Sequence, residues 1–196
     1  GGPGHATHAT VHWAGEALHL LPAHALWWPA GQPLLFGSLT EQVPGARDMN
    51  AFKAWVDSQF DASVTWADIQ WLRDLWPGTL IIKGILDAED AAQAVRIGAQ
   101  GLVVSNHGGR QLDGVRSTAS KLPEIVQAVG TDCEVLVDSG IRSGTDLFRA
   151  LALGARGVLV GRPWAWALAA GGEAAVTNLL SSWQRELQLV MTFAGV

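Results

Sequence analysis

Four short apolar runs mark the second half of the chain: Thr79–Lys83, Gly101–Ser105, Glu134–Asp138 and Gly157–Gly161. Each places three consecutive aliphatic residues between small or polar ends, with no polar alternation. Such runs suit strands covered on both faces, as in a parallel sheet. Between them, Ala88–Ile97, Ser120–Val129 and Gly144–Leu153 space their apolar residues as helices do, and a last helix is predicted over Gly172–Phe193. Asp87 and Thr118 stand where N-caps belong. Upstream, 49–59 and 66–75 also read as helices, with Trp55, Phe60, Ile69, Leu72 and Trp76 as apolar anchors. Residues 1–48 form an irregular Gly-, Pro- and His-rich segment. Pro22, Pro29, Pro33 and Pro44 interrupt any long helix there, leaving room for a short one over Val11–Leu20.

Strand alternating with helix is the pattern of βα units. The strand starts, near 79, 101, 134 and 157, lie 22, 33 and 23 residues apart, the long interval containing an extra loop. An internal echo supports a repeat: Gly98–Val104 resembles Gly154–Val160, each with one Gly closing a helix and a second opening a strand. Four such units make half of an eight-stranded (β/α)₈ barrel, whose full form takes about 250 residues. The expected class is α/β, with 1–48 as a loop or insertion segment and 49–196 as the C-terminal half of a barrel.

Composition narrows the function. The 196 residues are 48% hydrophobic and 16% charged, which is globular rather than disordered. A net charge of −5 without a Lys/Arg run argues against nucleic acid as the partner. The single cysteine, Cys133, precedes an apolar run; it excludes an internal disulfide framework and reads as a small buried hydrophobe. The most apolar stretch, Ala150–Ala170, carries Arg156 and Arg162, so no transmembrane helix is expected, and the N-terminus has no signal-peptide pattern. The opening Gly-Gly-Pro-Gly reads as a chain cut from something longer. Of six His, five fall at positions 5, 8, 12, 19 and 24. His5, His8 and His12 could share a helix face, but no carboxylate pattern accompanies them, and no metal is expected.

Polar residues gather where the strands end: Lys83, then Ser105-Asn106-His107, then Asp138-Ser139-Gly140, then Gly161-Arg162. In a (β/α)₈ barrel the C-terminal ends of the strands carry the active site. Lys83 is either a strand-end lysine reaching for water or a fixed cation beside a cofactor. In Ser105–Asp113, His107 suits a general base and Arg110 suits a two-pronged grip on a carboxylate. Gly108 and Gly109 between them permit a tight turn, although a Gly-rich solvent loop would also read this way. Asp138, Ser139, Gly140, Ile141 and Arg142, with Gly161 and Arg162, read as an anion site of backbone N–H groups and two guanidinium groups. A surface Arg–Asp pair is the plainer alternative. Neither a Walker A pattern nor a Rossmann glycine fingerprint is present.

The segment Ser105–Asp113 resembles the signature of the FMN-dependent α-hydroxy-acid oxidases and dehydrogenases, a family that includes glycolate oxidase, mandelate dehydrogenase and bacterial L-lactate dehydrogenase. Ile82–Leu86, Asp138–Arg142, Ala150–Ala155 and Gly161-Arg162 match the same family in the same order. Phe60-Asp61, Trp66, Asp68, Trp71, Arg73-Asp74, Trp76 and Lys83–Asp87 are most similar to the bacterial L-lactate type, with the mandelate type close behind. The resemblance implies a TIM barrel that binds FMN and oxidises a small 2-hydroxy acid, L-lactate foremost, to the 2-keto acid. It implies His107 as the active-site base, Arg110 on the substrate carboxylate, and Lys83 at the N1/O2 edge of the flavin. Ser105, Ser139 and Ile141 are implied as further FMN contacts, and Asp138, Gly140, Arg142, Gly161 and Arg162 as the holders of the ribityl phosphate. It also implies a quinone or respiratory-chain electron acceptor, a homo-oligomer for the complete enzyme, and a cytoplasmic place, peripheral on the inner face of the bacterial plasma membrane.

In that family the N-terminal half supplies active-site tyrosines and an aspartate that orients the base. This chain has no Tyr, and Asp113 does not take the aspartate's place. The expectation is a C-terminal half with little or no turnover alone. Two other readings stay open: another phosphate-binding barrel enzyme, and a non-catalytic half-barrel module.

Overall fold

The computed structural model describes residue 43 and residues 48–196. The expected helix over Val11–Leu20, the His-rich start and all but two positions of the irregular 1–48 segment lie outside the described residues. The chain divides into two compact units, with the boundary in sequence between Val64 and Thr65. In the first, helix α1 (Met49–Ser58) is capped by Asp48, whose side chain accepts from the Asn50 N–H at 2.9 Å. Val43 and Phe52 are buried together, and Trp55 and Val56 pack on them.

The second unit holds α2 (Trp66–Leu75), β1 (Ile81–Ile85), α3 (Ala88–Ile97), β2 (Gly101–Val104), α4 (Thr118–Val129), β3 (Glu134–Val137), α5 (Gly144–Ala152), β4 (Gly157–Val158) and α6 (Arg162–Ala194). The four strands form one parallel sheet in the order β1-β2-β3-β4, each followed by a helix. This is the succession of four βα units that the apolar runs predict.

Local chemistry sets the element ends. α2 opens with a capping box: Asp68 accepts from both the Thr65 N–H and the Thr65 hydroxyl at 2.7 Å. α3 begins at Asp87, which accepts from the Glu89 N–H, and ends at Gly98 in the left-handed conformation. Two expectations need correction. The cap of α4 is Ser117, not Thr118; Thr118 is the first helical residue and is buried, with its hydroxyl turned to the Asp138 carbonyl. The helical run that contains the expected Gly172–Phe193 helix begins earlier, at Arg162, where Pro163 is well placed in a first turn. Gly171 and Gly172, at non-helical angles, break it into 162–170 and 173–194.

The register explains which side chains meet. Leu102 pairs with Ile82 and Val135, and Val104 with Val137. These residues point to the helices, where Ala91, Ala94, Leu122, Ile125, Val129 and Ala150 complete the core. Side chains alternate across a strand. Lys83, Val103 and Leu136, which are paired across the sheet, therefore share the opposite face, and Ser105 and Asp138 continue it one step beyond the strand ends. Core burial on one face thus delivers a lysine, a serine and an aspartate to one place on the other. Cys133 is buried, and burial pushes its thiol above the ordinary range, as befits a packing residue.

Candidate functional site

Lys83 reaches along its sheet face to Asp138, Nζ to Oδ2 at 2.7 Å, and donates to Ser105 Oγ at 2.7 Å. Ser105 also accepts from the His107 N–H at 3.1 Å. It is 0% exposed, and it stands behind Lys83 and anchors it. Asp138 accepts from the Ser139 hydroxyl at 2.7 Å, and Ser139 Oγ accepts from the Gly108 N–H at 2.9 Å. Burial pushes the Asp138 carboxyl up, but hydrogen bonds from Lys83, Ser105 and Ser139, with the Lys83 charge, outweigh it and hold the carboxyl below its ordinary value.

A carboxyl lowered in the folded state gives stability that is present above the ordinary aspartate range and lost as pH falls through the folded value. The unfolding midpoint should therefore decline below about pH 4. Asp138→Asn should flatten that decline while lowering stability at neutral pH. Thermal scans at stepped pH check this, and an unchanged slope in the variant would refute the assignment.

The loop after β2 is set by its backbone. His107, Gly108 and Gly109 have φ of 56°, 69° and 71°. For a residue with a side chain, such a conformation costs about 1–3 kcal/mol and persists only where neighbours hold it. Asn106 begins the turn by accepting from the Gly108 N–H at 3.1 Å, and Arg162 donates to the Gly108 carbonyl at 2.5 Å. His107 is exposed to the cleft. Its imidazole lies over Gly84 of β1: a Cβ added there would stand 3.1 Å from His107 Cε1.

These elements line an open cleft of about 1090 Å³, walled by Lys83, the His107–Gln111 loop, Asp138–Arg142 and Leu159–Ala165. The structure thus brings together all the sequence-predicted residues except Ser105, which is buried beneath the wall. Arg110 is exposed on the rim. The two helix N-termini near the anion residues differ. That of α5 is occupied, with Ser143 accepting from the Asp146 N–H at 3.0 Å and Glu186 from the Gly144 N–H at 2.9 Å. That of α6 begins at Gly161 with no side-chain cap. Sequence reasoning missed the role of Thr118, which donates to the Asp138 carbonyl at 2.7 Å and so fixes the end of β3. Read as a cap, it gave no hint of this.

The chemistry of the donor set fits a flavin mononucleotide. A free helix N-terminus and two arginines suit a dianionic phosphate, and an exposed lysine beside apolar Ile141, Leu159 and Val160 suits a ring with one electron-rich edge.

Comparison with known proteins agrees. The chain is 52% identical over 166 residues to an L-lactate dehydrogenase of Pseudomonas syringae pv. syringae (strain B728a), covering 85% of this chain and 44% of the relative. An L-lactate dehydrogenase of Vibrio cholerae serotype O1 (strain M66-2) is 49% identical over 177 residues, covering 88% of this chain and 47% of the relative. Among solved structures, a mutant mandelate oxidase with a monooxide FMN adduct superposes with a TM-score of 0.65 at 52% identity, over 69% of this chain and 43% of that one. Mandelate oxidase with benzoyl-formic acid gives 0.64 at 52% identity, over 67% and 39%. The chain therefore spans under half the length of these relatives, in keeping with part of a (β/α)₈ barrel. Residues 7–196 match the FMN-dependent dehydrogenase family, and with the site geometry above this establishes that the chain belongs to it.

Proposed function

We propose that this chain is the cofactor-holding part of an FMN-dependent L-2-hydroxy-acid dehydrogenase, with L-lactate as substrate and pyruvate as product. The observation that carries it is the cleft in which Lys83, His107, Arg110, Arg142 and the uncapped α6 N-terminus converge. FMN, when bound, supplies the two-electron acceptor chemistry. The chain's own residues do the rest. Arg110 grips the substrate carboxylate with parallel hydrogen bonds. His107 takes a proton from the substrate. Lys83 holds a positive charge where negative charge develops and is kept in place by Ser105 and Asp138. Arg142, Arg162 and the amides around Gly140 and Gly161 hold the phosphate.

Mandelate is the second reading for the substrate, favoured by the likeness to mandelate oxidase structures at 52% identity. For the complete enzyme we place a quinone or another respiratory-chain carrier as electron acceptor, a homo-oligomeric assembly, and a cytoplasmic position at the inner face of the plasma membrane. Among the described residues no helix is long and apolar enough to cross a membrane.

Titration with FMN and with riboflavin, followed by flavin fluorescence, tests the reading. FMN should bind saturably and riboflavin at least about tenfold more weakly, since it lacks the phosphate and forfeits at least one charge-assisted hydrogen bond. Equal affinity for the two would remove the phosphate site from the proposal.

A further inference from the structure

Ser139 stands among the residues expected to meet the cofactor, yet its hydroxyl is committed within the protein. It donates to Asp138 Oδ1 at 2.7 Å and accepts from the Gly108 N–H at 2.9 Å. The other Asp138 oxygen meets Lys83 Nζ at 2.7 Å. One continuous run of hydrogen bonds therefore joins the cleft lysine to the peptide that follows His107. Both residues at its far end are held in the left-handed region, Ser139 at φ 70° and His107 at φ 56°. Side-chain-bearing residues avoid that region unless neighbours compel them. Gly108 is the point compelled: side chains grip both its backbone polar groups, Ser139 the N–H and Arg162 the carbonyl.

We propose that Ser139 is a positioning residue, whose hydroxyl fixes the Gly108 peptide and thereby the turn that lays the His107 imidazole over Gly84 and into the cleft. The functional meaning rests on the reading of His107 as the base; the mechanical claim does not. Asn106 shares the Gly108 N–H at 3.1 Å and would keep the turn closed without Ser139, so loss of the hydroxyl loosens the loop without unfolding it.

Variants at this position separate positioning from general stability. Ser139→Gly removes the hydroxyl but suits a φ of 70°, so the melting temperature should hold or rise. Ser139→Thr keeps the hydroxyl but puts a β-branched residue at positive φ, so the melting temperature should fall. The readout is amide hydrogen exchange at Gly108 by NMR, taken relative to the amides of β2, with the His107 ring-proton shifts recorded alongside. Exchange should quicken about three- to tenfold in Ser139→Gly and in Ser139→Ala, the loss of one net hydrogen bond, and stay near the parent value in Ser139→Thr. The ring shifts should move only in the Gly and Ala variants. If exchange instead follows melting temperature across the series, or is unchanged in both Gly and Ala variants, Ser139 does not position the loop. FMN titration of the unsubstituted chain is read separately: no binding there counts against the flavin reading and leaves the exchange result to decide on Ser139.

Discussion

Replacing Arg142 and Arg162 together by Ala should weaken FMN binding by about a hundredfold or more and leave riboflavin binding nearly unchanged. Each guanidinium–phosphate contact is a charge-assisted hydrogen bond, with a net contribution of about 1.5–3 kcal/mol, or roughly a factor of ten or more apiece. The asymmetry between the two helix N-termini adds weight to the location. Glu186 and Ser143 already take the first amides of α5, whereas α6 offers its own uncapped, beside the Arg162 side chain. An anion should thus sit toward α6, with Arg142 reaching it from the loop before α5. Arg162→Ala also releases the Gly108 carbonyl, so the single change Arg142→Ala is the cleaner probe, with about tenfold expected from it alone. Fluorescence titration with both flavins checks the set. Equal losses for FMN and riboflavin would mean that the arginines support the cleft rather than the phosphate.

Much of this site was legible in the sequence, for a physical reason. A strand buried on its helix-facing side must end in something polar, and in a parallel sheet those ends fall in register. Lys83, Ser105, Asp138 and Arg162 could therefore be grouped from the apolar runs alone. Boundaries were less legible. Thr79 and Leu80 continue the first apolar run, yet β1 begins at Ile81, and the Leu80 N–H instead donates to the Gln100 side-chain oxygen at 2.7 Å. The fourth run is regular in sequence for five residues, but only Gly157 and Val158 pair as strand, because β3 offers a partner only that far. What composition cannot show is where a hydroxyl turns. Ser105 and Ser139 belong to segments that read as ligand-binding and Thr118 reads as a helix cap, and in all three the side chain is bonded inside the protein. Such residues set the positions of the groups that do face the cleft, and only the geometry separates the two kinds.

Gly144→Ala should be the most damaging single methyl addition in the second unit. A Cβ at Gly144 would lie 2.2 Å from the Trp183 carbonyl oxygen and 2.8 Å from the Leu187 N, both backbone atoms of the last helix. No rotamer change relieves a clash with backbone; α5 and 173–194 must separate. That separation strikes several contacts together. Glu186 accepts from the Gly144 N–H at 2.9 Å and from the Thr145 hydroxyl at 2.8 Å, and Trp183 is buried on the same helix. The Thr145 hydroxyl and then the Gly144 N–H hold the Glu186 carboxyl below its usual value, so the contact is a charged cap that weakens when it is stretched or protonated. Overpacking of this kind costs about 1–3 kcal/mol or somewhat more. In a chain of this size that should lower the melting temperature by about 5–10 °C. The site should respond as well, because Arg142 lies two residues before Gly144, in the loop that leads into α5. FMN affinity should fall in Gly144→Ala even though no flavin-facing side chain has changed. Glu186→Gln, whose amide oxygen can still accept from the Gly144 N–H while its NH2 meets the Thr145 hydroxyl as a donor, should cost less in both measurements. A Gly144→Ala protein that melts and binds FMN like its parent would mean that the last helix does not sit against α5 in solution as it does in the structure, and that the loop bearing Arg142 is held by something else.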